Sequence, residues 1–425
     1  MPEKVVLLSR RKGSVARTSR ETRWLLVILF VVAVMLSYPW LLFSVIGAWE
    51  ERDARVTTKQ EVIRITGAQA EVDSIQAEKM PARLDTVFDG VVARAFEPHR
   101  YKFPCFHPTD GLTSGRWPGN PPVYRGPTKD GFLFVKVQKT GSSSGAGVHL
   151  RIARNVAQRS PDHDFDICKA RCMHARAKPI NGLDLKHRHF NSSFVWTMVR
   201  EPTKRAISQF FHFLVSRENV IPTDENFIRY LPKDHYAIEY LSTEGYHLGS
   251  DDPTEHANQI LQHYNFIGMT ERIDESLVVL SMLLDLPLAD ILYVSAKRNG
   301  GYDDGAFRNT CYKIQPSFVS PGMKEYFASD TWTNLIRPEV ALFQAVNRSL
   351  DLTIDLLGRQ AVQTRVVEYR QALALVNERC TPDTVNLPCT KDGIRRFDKD
   401  IDCYAEDLAC GMSCLDQVAT ELDLW

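Results

Sequence analysis

Phe132 to Val137 is a run of apolar and β-forming residues that stops at Lys139-Thr140 and opens into Gly141-Ser142-Ser143-Ser144-Gly145-Ala146-Gly147. Leu150, Ile152 and Ala153 then recur at helical spacing, so the sequence predicts a strand, a loop of small residues and a helix over Val148 to Val156. No other feature constrains the fold as much, because a buried strand feeding a helix through a short loop is the building unit of a parallel α/β sheet. A loop entering a helix N-terminus presents unpaired backbone N–H groups and the positive end of the helix dipole, which favours a phosphate-like anion. The simpler reading of one such unit is a plain βα turn. Residue order disfavours one familiar phosphate loop and rules out another. In GxxxxGK[ST] the Lys follows the second Gly, whereas Lys139 precedes Gly141. A dinucleotide fingerprint fails because Gly145-Ala146-Gly147-Val148-His149-Leu150 ends on Leu.

A second unit follows. Phe194 to Val199 reads as a strand, Arg200-Glu201-Pro202 as a turn, and Thr203 to Ser216 as a helix with Pro202 in its first turn. Phe266 to Met269 is a short strand, and Glu271 to Leu284 and Trp332 to Leu350 are helical. Strands alternating with helices predict an α/β fold: a P-loop-like parallel sheet flanked by helices on both faces, with ligands at the carboxyl ends of the strands. The Lys139 loop and the Arg200 turn both lie at such ends. The 425 residues suit one large domain with appendages, and a hydrophobic fraction of 44% supplies a core.

The appendages are legible from composition. Seven Lys or Arg stand before Trp24, against Glu3 and Glu21, and Trp24 to Gly47 carries no charge over about 24 residues. That length crosses a bilayer. The basic flank, with Glu50-Glu51 beyond, predicts an N-terminal transmembrane signal-anchor with a cytosolic tail and a lumenal bulk. A cleaved signal peptide is the alternative, although its apolar region is normally shorter, and Pro39 shortens the uninterrupted run. The organisation expected is a basic tail over 1–23, the anchor over 24–47, a stem over 48–100, a catalytic domain over 101–360 and a Cys-rich, acidic segment over 361–425. The stem carries a candidate helix around Glu61 to Lys79, through which a second copy of the chain could associate. Five of the nine cysteines fall within the last 46 residues, which points to disulfides in an oxidising compartment rather than to zinc. Asn191 and Asn347 open formal glycosylation sequons.

Val137 to Ser144 (VQKTGSSS) and Met198 to Phe213 (MVREPTKRAISQFFHF) together resemble the two nucleotide-binding motifs of Golgi carbohydrate sulfotransferases, nearest the heparan sulfate 2-O- and galactose 3-O-sulfotransferase branch. Asn265 to Leu284 is similar to that family's next strand and helix, and the resemblance covers roughly residues 132 to 350. It implies the donor PAPS (3′-phosphoadenosine 5′-phosphosulfate), held at its 5′ end by Lys139, Thr140, Gly141, Ser142 and Ser143, and at its 3′-phosphate by Arg200 and Ser208. Gln138 stands where the family usually has Pro. In sulfuryl transfer, Lys139 would neutralise the leaving oxygen and a His would take the acceptor proton. The family places that base between the motifs. His174, 26 residues before Arg200, fits first, with His187 and His189 as nearer alternatives. No metal is called for.

The implied function is sulfation of a glycan hydroxyl in the Golgi lumen. The alternative is a membrane-tethered glycan-binding or scaffold protein that keeps the fold without the reaction, and a nucleotide kinase is disfavoured by the Lys-Gly order. Residues 151 to 188 hold nine Lys or Arg against four Asp, a local net of +5, which would attract an anionic polysaccharide unless it is a solvated helix face. The partners expected are this glycan and the membrane, crossed once; nucleic acid is not among them.

Overall fold

The structure is a computed structural model that describes residues 86–100, 131–159, 171–173, 185–231, 236–243, 245–246, 251–295, 300–302, 310–397, 400–405 and 408–425. The basic tail, the apolar run Trp24 to Gly47 and the candidate stem helix lie outside them. Among the described residues, no helix is long and apolar enough to cross a membrane.

Asp85–Trp425 forms one compact unit. Its centre is a four-stranded parallel sheet of β1 (Gly131–Val135), β2 (Arg171–Met173), β3 (Ser193–Val199) and β4 (Phe266–Met269), in the order β2-β1-β3-β4. Every residue of β1, β3 and β4 is buried, and strand side chains alternate between faces, so both faces of the sheet are covered. This is why these strands read as continuous apolar runs.

Helices surround the sheet. They are α1 (Ser142–Arg159), α2 (Pro202–Gln209), α3 (Asp224–Tyr230), α4 (Tyr236–Leu241), α5 (Pro253–His263) and α6 (Ile273–Leu283). Beyond them come α7 (Pro321–Phe327), α8 (Asp330–Leu357) and α9 (Arg359–Arg379). The chain finishes in a hairpin of β5 (Cys403–Ala405) and β6 (Leu408–Cys410), followed by α10 (Met412–Glu421).

α1 starts six residues earlier than the sequence pattern predicts. The small residues taken for loop are the first turns of the helix, and their size serves close packing. A Cβ on Gly145 would lie 3.0 Å from the Phe134 ring and 3.2 Å from Met198 Sδ, and one on Gly147 would lie 3.2 Å from the Ala409 backbone nitrogen. His149 of α1 stacks on Phe132 and accepts a hydrogen bond from Trp196 Nε1 at 3.0 Å, fixing the helix to β1 and β3.

The expected helix from Thr203 to Ser216 divides in two. Glu201 caps α2 by accepting the Thr203 and Lys204 N–H groups, and from Phe210 to Arg217 the chain continues as a π-helix. The wider turn is closed in part by the Ser216 hydroxyl, which donates to the Phe211 carbonyl at 2.7 Å.

Residues beyond 360, expected as a segment apart, share the central core. Val366, Tyr369, Val376, Leu415 and Val418 belong to the same buried cluster as the sheet. Three disulfides tie this region together, Cys311–Cys389, Cys380–Cys414 and Cys403–Cys410. The residues just before 100, expected as stem, join the core too: Phe96 is fully buried, edge-on to Phe266.

Candidate functional site

The loop after β1 and the turn after β3 lie side by side at the carboxyl edge of the sheet, because β1 and β3 are direct neighbours in register. Arg200 Nη1 donates to the Lys139 carbonyl at 3.3 Å, so the two sequence motifs are in contact. Lys139 has a left-handed backbone (φ 64°), a conformation that costs a side-chain-bearing residue about 1 kcal/mol or more. Its neighbours hold it there. The Thr140 hydroxyl, buried, donates to the Val137 carbonyl at 3.0 Å, and Gly141 continues the turn at φ 68°. Gly141 suits that angle, and a Cβ added there would lie 3.4 Å from Thr270 Cγ2, just beyond β4.

Ser142 and Ser143 then open α1, so the first N–H groups of an 18-residue helix and its positive dipole end converge on the loop. Ser142 is buried and Ser143 half-buried. Lys139, Thr140, Gly141, Ser142 and Ser143 thus lie together in one turn and helix start, with Arg200 beside them. Ser208 is half-buried two turns along α2 from Arg200. The Lys139 ammonium lies 5.9 Å from the centre of the Phe213 ring, and the Arg217 guanidinium lies 5.2 Å from the same ring, so the π-helix forms a wall of the site.

Sequence reasoning missed several neighbours. Thr270 donates to the Val199 carbonyl at 3.0 Å and seals the β3 end against β4. Glu271 accepts the Glu201 N–H at 3.1 Å. Burial pulls the Arg200 pKa down, opposed by the charges of Glu271 and Glu201. The Glu271 side chain reaches solvent, yet the protein crowded around it raises its pKa, and hydrogen bonds from the Glu201 and Glu271 backbones and the charges of Arg200 and Lys204 only partly offset this. The one signal in the sequence is their place: Thr270-Glu271 directly follows a short buried strand at the ligand edge.

The candidate bases separate. His187 and His189 are exposed and lie at the amino edge of the sheet, where the His189 carbonyl accepts from Ser192 and Ser193 and Gly131 N–H donates to Ser192. The length of β3 puts them on the order of 20 Å from Lys139. His174 lies outside the described residues. β2 ends one residue before it in the chain, at Met173, which pairs with Val135 at the carboxyl edge.

Among the described residues of the expected basic patch, four arginines are committed elsewhere. Arg151 is fully buried and pairs with Asp416 at 2.9 Å, Arg154 shares Asp416, and Arg159 pairs with Asp290. Arg188, its pKa lowered to about 10 by burial, donates to Asn265 and packs on Phe190 at the far edge. These four arginines hold α1 and the strand ends in place through partners of their own, and Arg151 and Arg188 are buried.

On the α1 side of the loop, Ser143, Ser144 and Gly147 line a cavity of about 460 Å³. Tyr293, Tyr302 and Lys391 stand among its other walls. Its volume lies within the range of small-molecule sites. Lys139 and Arg200 are not among its walls; what the loop and the turn can hold by themselves is a phosphate-like anion at the start of α1.

Compared with known proteins, the chain is 24% identical over 304 residues to Galactose-3-O-sulfotransferase 3 of Mus musculus, covering 62% of this chain and 67% of that one. It is 27% identical over 197 residues to Galactosylceramide sulfotransferase of Mus musculus, covering 41% of this chain and 42% of that one. The second match thus spans less than half of either chain. No protein-family model and no solved structure matches it.

Proposed function

We propose, starting from the chain's kinship with the carbohydrate sulfotransferases, that it transfers a sulfuryl group from PAPS to a glycan hydroxyl, as a membrane-anchored enzyme facing the Golgi lumen. The observation that carries this reading is the contact between Arg200 and the Lys139 carbonyl at the carboxyl edge of the sheet. On this reading the 5′-phosphosulfate would lie on the Lys139 loop and the 3′-phosphate against Arg200, within one nucleotide's reach of each other. Gly141, Ser142 and Ser143 at the start of α1 fit an anion closely, since no bulky side chain stands between it and the backbone N–H groups. Arg200 offers a charged fork to the 3′-phosphate, with Ser208 as a second donor.

The chemistry asks little of the protein beyond alignment and charge, as in phosphoryl transfer. The bond between sulfur and the phosphate oxygen breaks as the acceptor oxygen bonds to sulfur. Lys139 balances charge on the departing oxygen, and His174 takes the acceptor proton. Both relatives are named for galactose-containing acceptors, so galactosides are the first acceptors to try.

The test is direct. Detergent-solubilised full-length protein is incubated with PAPS carrying labelled sulfur and a panel of glycans, galactosides included. Label in a glycan supports the reading. Tight binding of a glycan with no transfer to any acceptor would leave a glycan-binding protein of the same fold.

A further inference from the structure

Gln138 and Arg205 belong to different motifs, yet one side chain touches both. The Tyr236 hydroxyl donates to Gln138 Oε1 at 2.9 Å, and the Arg205 guanidinium lies 4.1 Å from the centre of the Tyr236 ring. Tyr236 is itself held firmly. Its ring stacks on Tyr240 at 4.9 Å, and the next two N–H groups, of Ala237 and Ile238, donate to the buried Glu339 carboxylate of α8 at 3.1 and 3.0 Å. Arg205, buried on α2, also donates to Gln209 Oε1 at 2.7 Å.

We infer that Tyr236 is a positioning residue for the reaction, tying the residue before Lys139 to α2, the helix that carries Ser208 and follows Arg200; this rests on the sulfotransferase reading above. Lys139 sits in a backbone conformation that persists only where its surroundings fix it. Arg200 fixes the chain at Lys139, and the Thr140 hydroxyl closes the turn back onto the Val137 carbonyl. Between these two points, the Tyr236 hydrogen bond holds the side chain of Gln138. Hydroxyl and ring therefore have separable effects. The hydroxyl sets the placement of Lys139, which matters most as charge grows on the leaving oxygen. The ring sets the placement of Arg205 and α2, which matters for holding the 3′-phosphate.

Tyr236→Phe removes the hydroxyl alone. It should lower kcat about tenfold, the scale of one hydrogen bond felt in the transition state, while the donor KM stays within about twofold. Gln138→Leu should do the same, and the double variant should be no worse than either single, because both remove one interaction. Tyr236→Leu should further reduce the preference for 3′,5′-ADP over 5′-AMP by several-fold, on the order of a lost cation–π contact. Thermal melting of each variant checks folding, and if Tyr236→Phe does not fold, Gln138→Leu carries the kcat test by itself. Wild-type kcat in Tyr236→Phe, or a double variant about a hundredfold down as two independent losses would give, overturns the positioning role and leaves the sulfotransferase reading standing. A wild-type protein that transfers no sulfate to any acceptor overturns both.

Discussion

At the carboxyl end of β3, Arg200 has two carboxylates within electrostatic reach, Glu201 and Glu271. Glu201 is committed to capping α2, whereas Glu271 competes with any phosphate for the guanidinium. Glu271→Gln keeps an oxygen for the Glu201 N–H and removes the charge, so it should tighten 3′,5′-ADP binding at neutral pH, measured by calorimetry. Because the Glu271 pKa is raised, wild-type affinity should climb towards that of the variant as pH falls through it. For stability the sign is the same: the folded state holds this proton more tightly than the unfolded chain, so the contribution is present in acid and lost as pH rises through the folded pKa. Arg200→Ala should cost 3′,5′-ADP about 1.5–3 kcal/mol and 5′-AMP little, because only the first carries the phosphate it holds; equal losses would remove Arg200 from that role. Lys139→Ala and His174→Ala should still bind 3′,5′-ADP but lose transfer by on the order of 10²-fold, since both act as charge and proton move. His187→Ala and His189→Ala, at the opposite edge of the sheet, should transfer normally.

Among the elements, α1 shows what packing asks of a sequence. Gly145→Ala would press a methyl group against Phe134 and Met198, neither of which is free to move inside a filled core. Overpacking of this kind should cost about 1–3 kcal/mol, read as a lower thermal midpoint, and should displace the helix N-terminus enough to weaken nucleotide binding as well. The strands at the heart of the fold were legible because β1, β3 and β4 are apolar runs buried on both faces, and Lys139 and Arg200 were legible because they follow those runs. The start of α1 was not, since glycines and serines chosen for close contact look the same in a sequence as residues chosen for a turn. Nor was the π-helix: Phe210 to Arg217 continues the apolar pattern of α2, and the widening of its turn leaves no local mark. Tyr236 lies 98 residues from Gln138, and pairings at such a distance are set by the fold rather than by any nearby pattern.

In the whole molecule, the site depends on residues far along the chain. α10 grips α1 through Asp416, which pairs with both Arg151 and Arg154, and the Leu424 carbonyl accepts from Ala289 N–H beside them. Asp416→Ala would leave the fully buried Arg151 without its counter-charge, and should destabilise the protein by about 3 kcal/mol, visible in chemical denaturation. Reduction of the three bridges should have a larger effect, about 2–5 kcal/mol for each one whose loop is freed. Cys380–Cys414 spans an exposed stretch that includes Lys391, Asp392 and the 76%-exposed Phe397. A protease that nicks this stretch therefore yields two peptides that remain covalently joined. They would run as one band on a non-reducing gel and part only when thiol is added, so apparent integrity without reductant is no guarantee that the polypeptide is uncut.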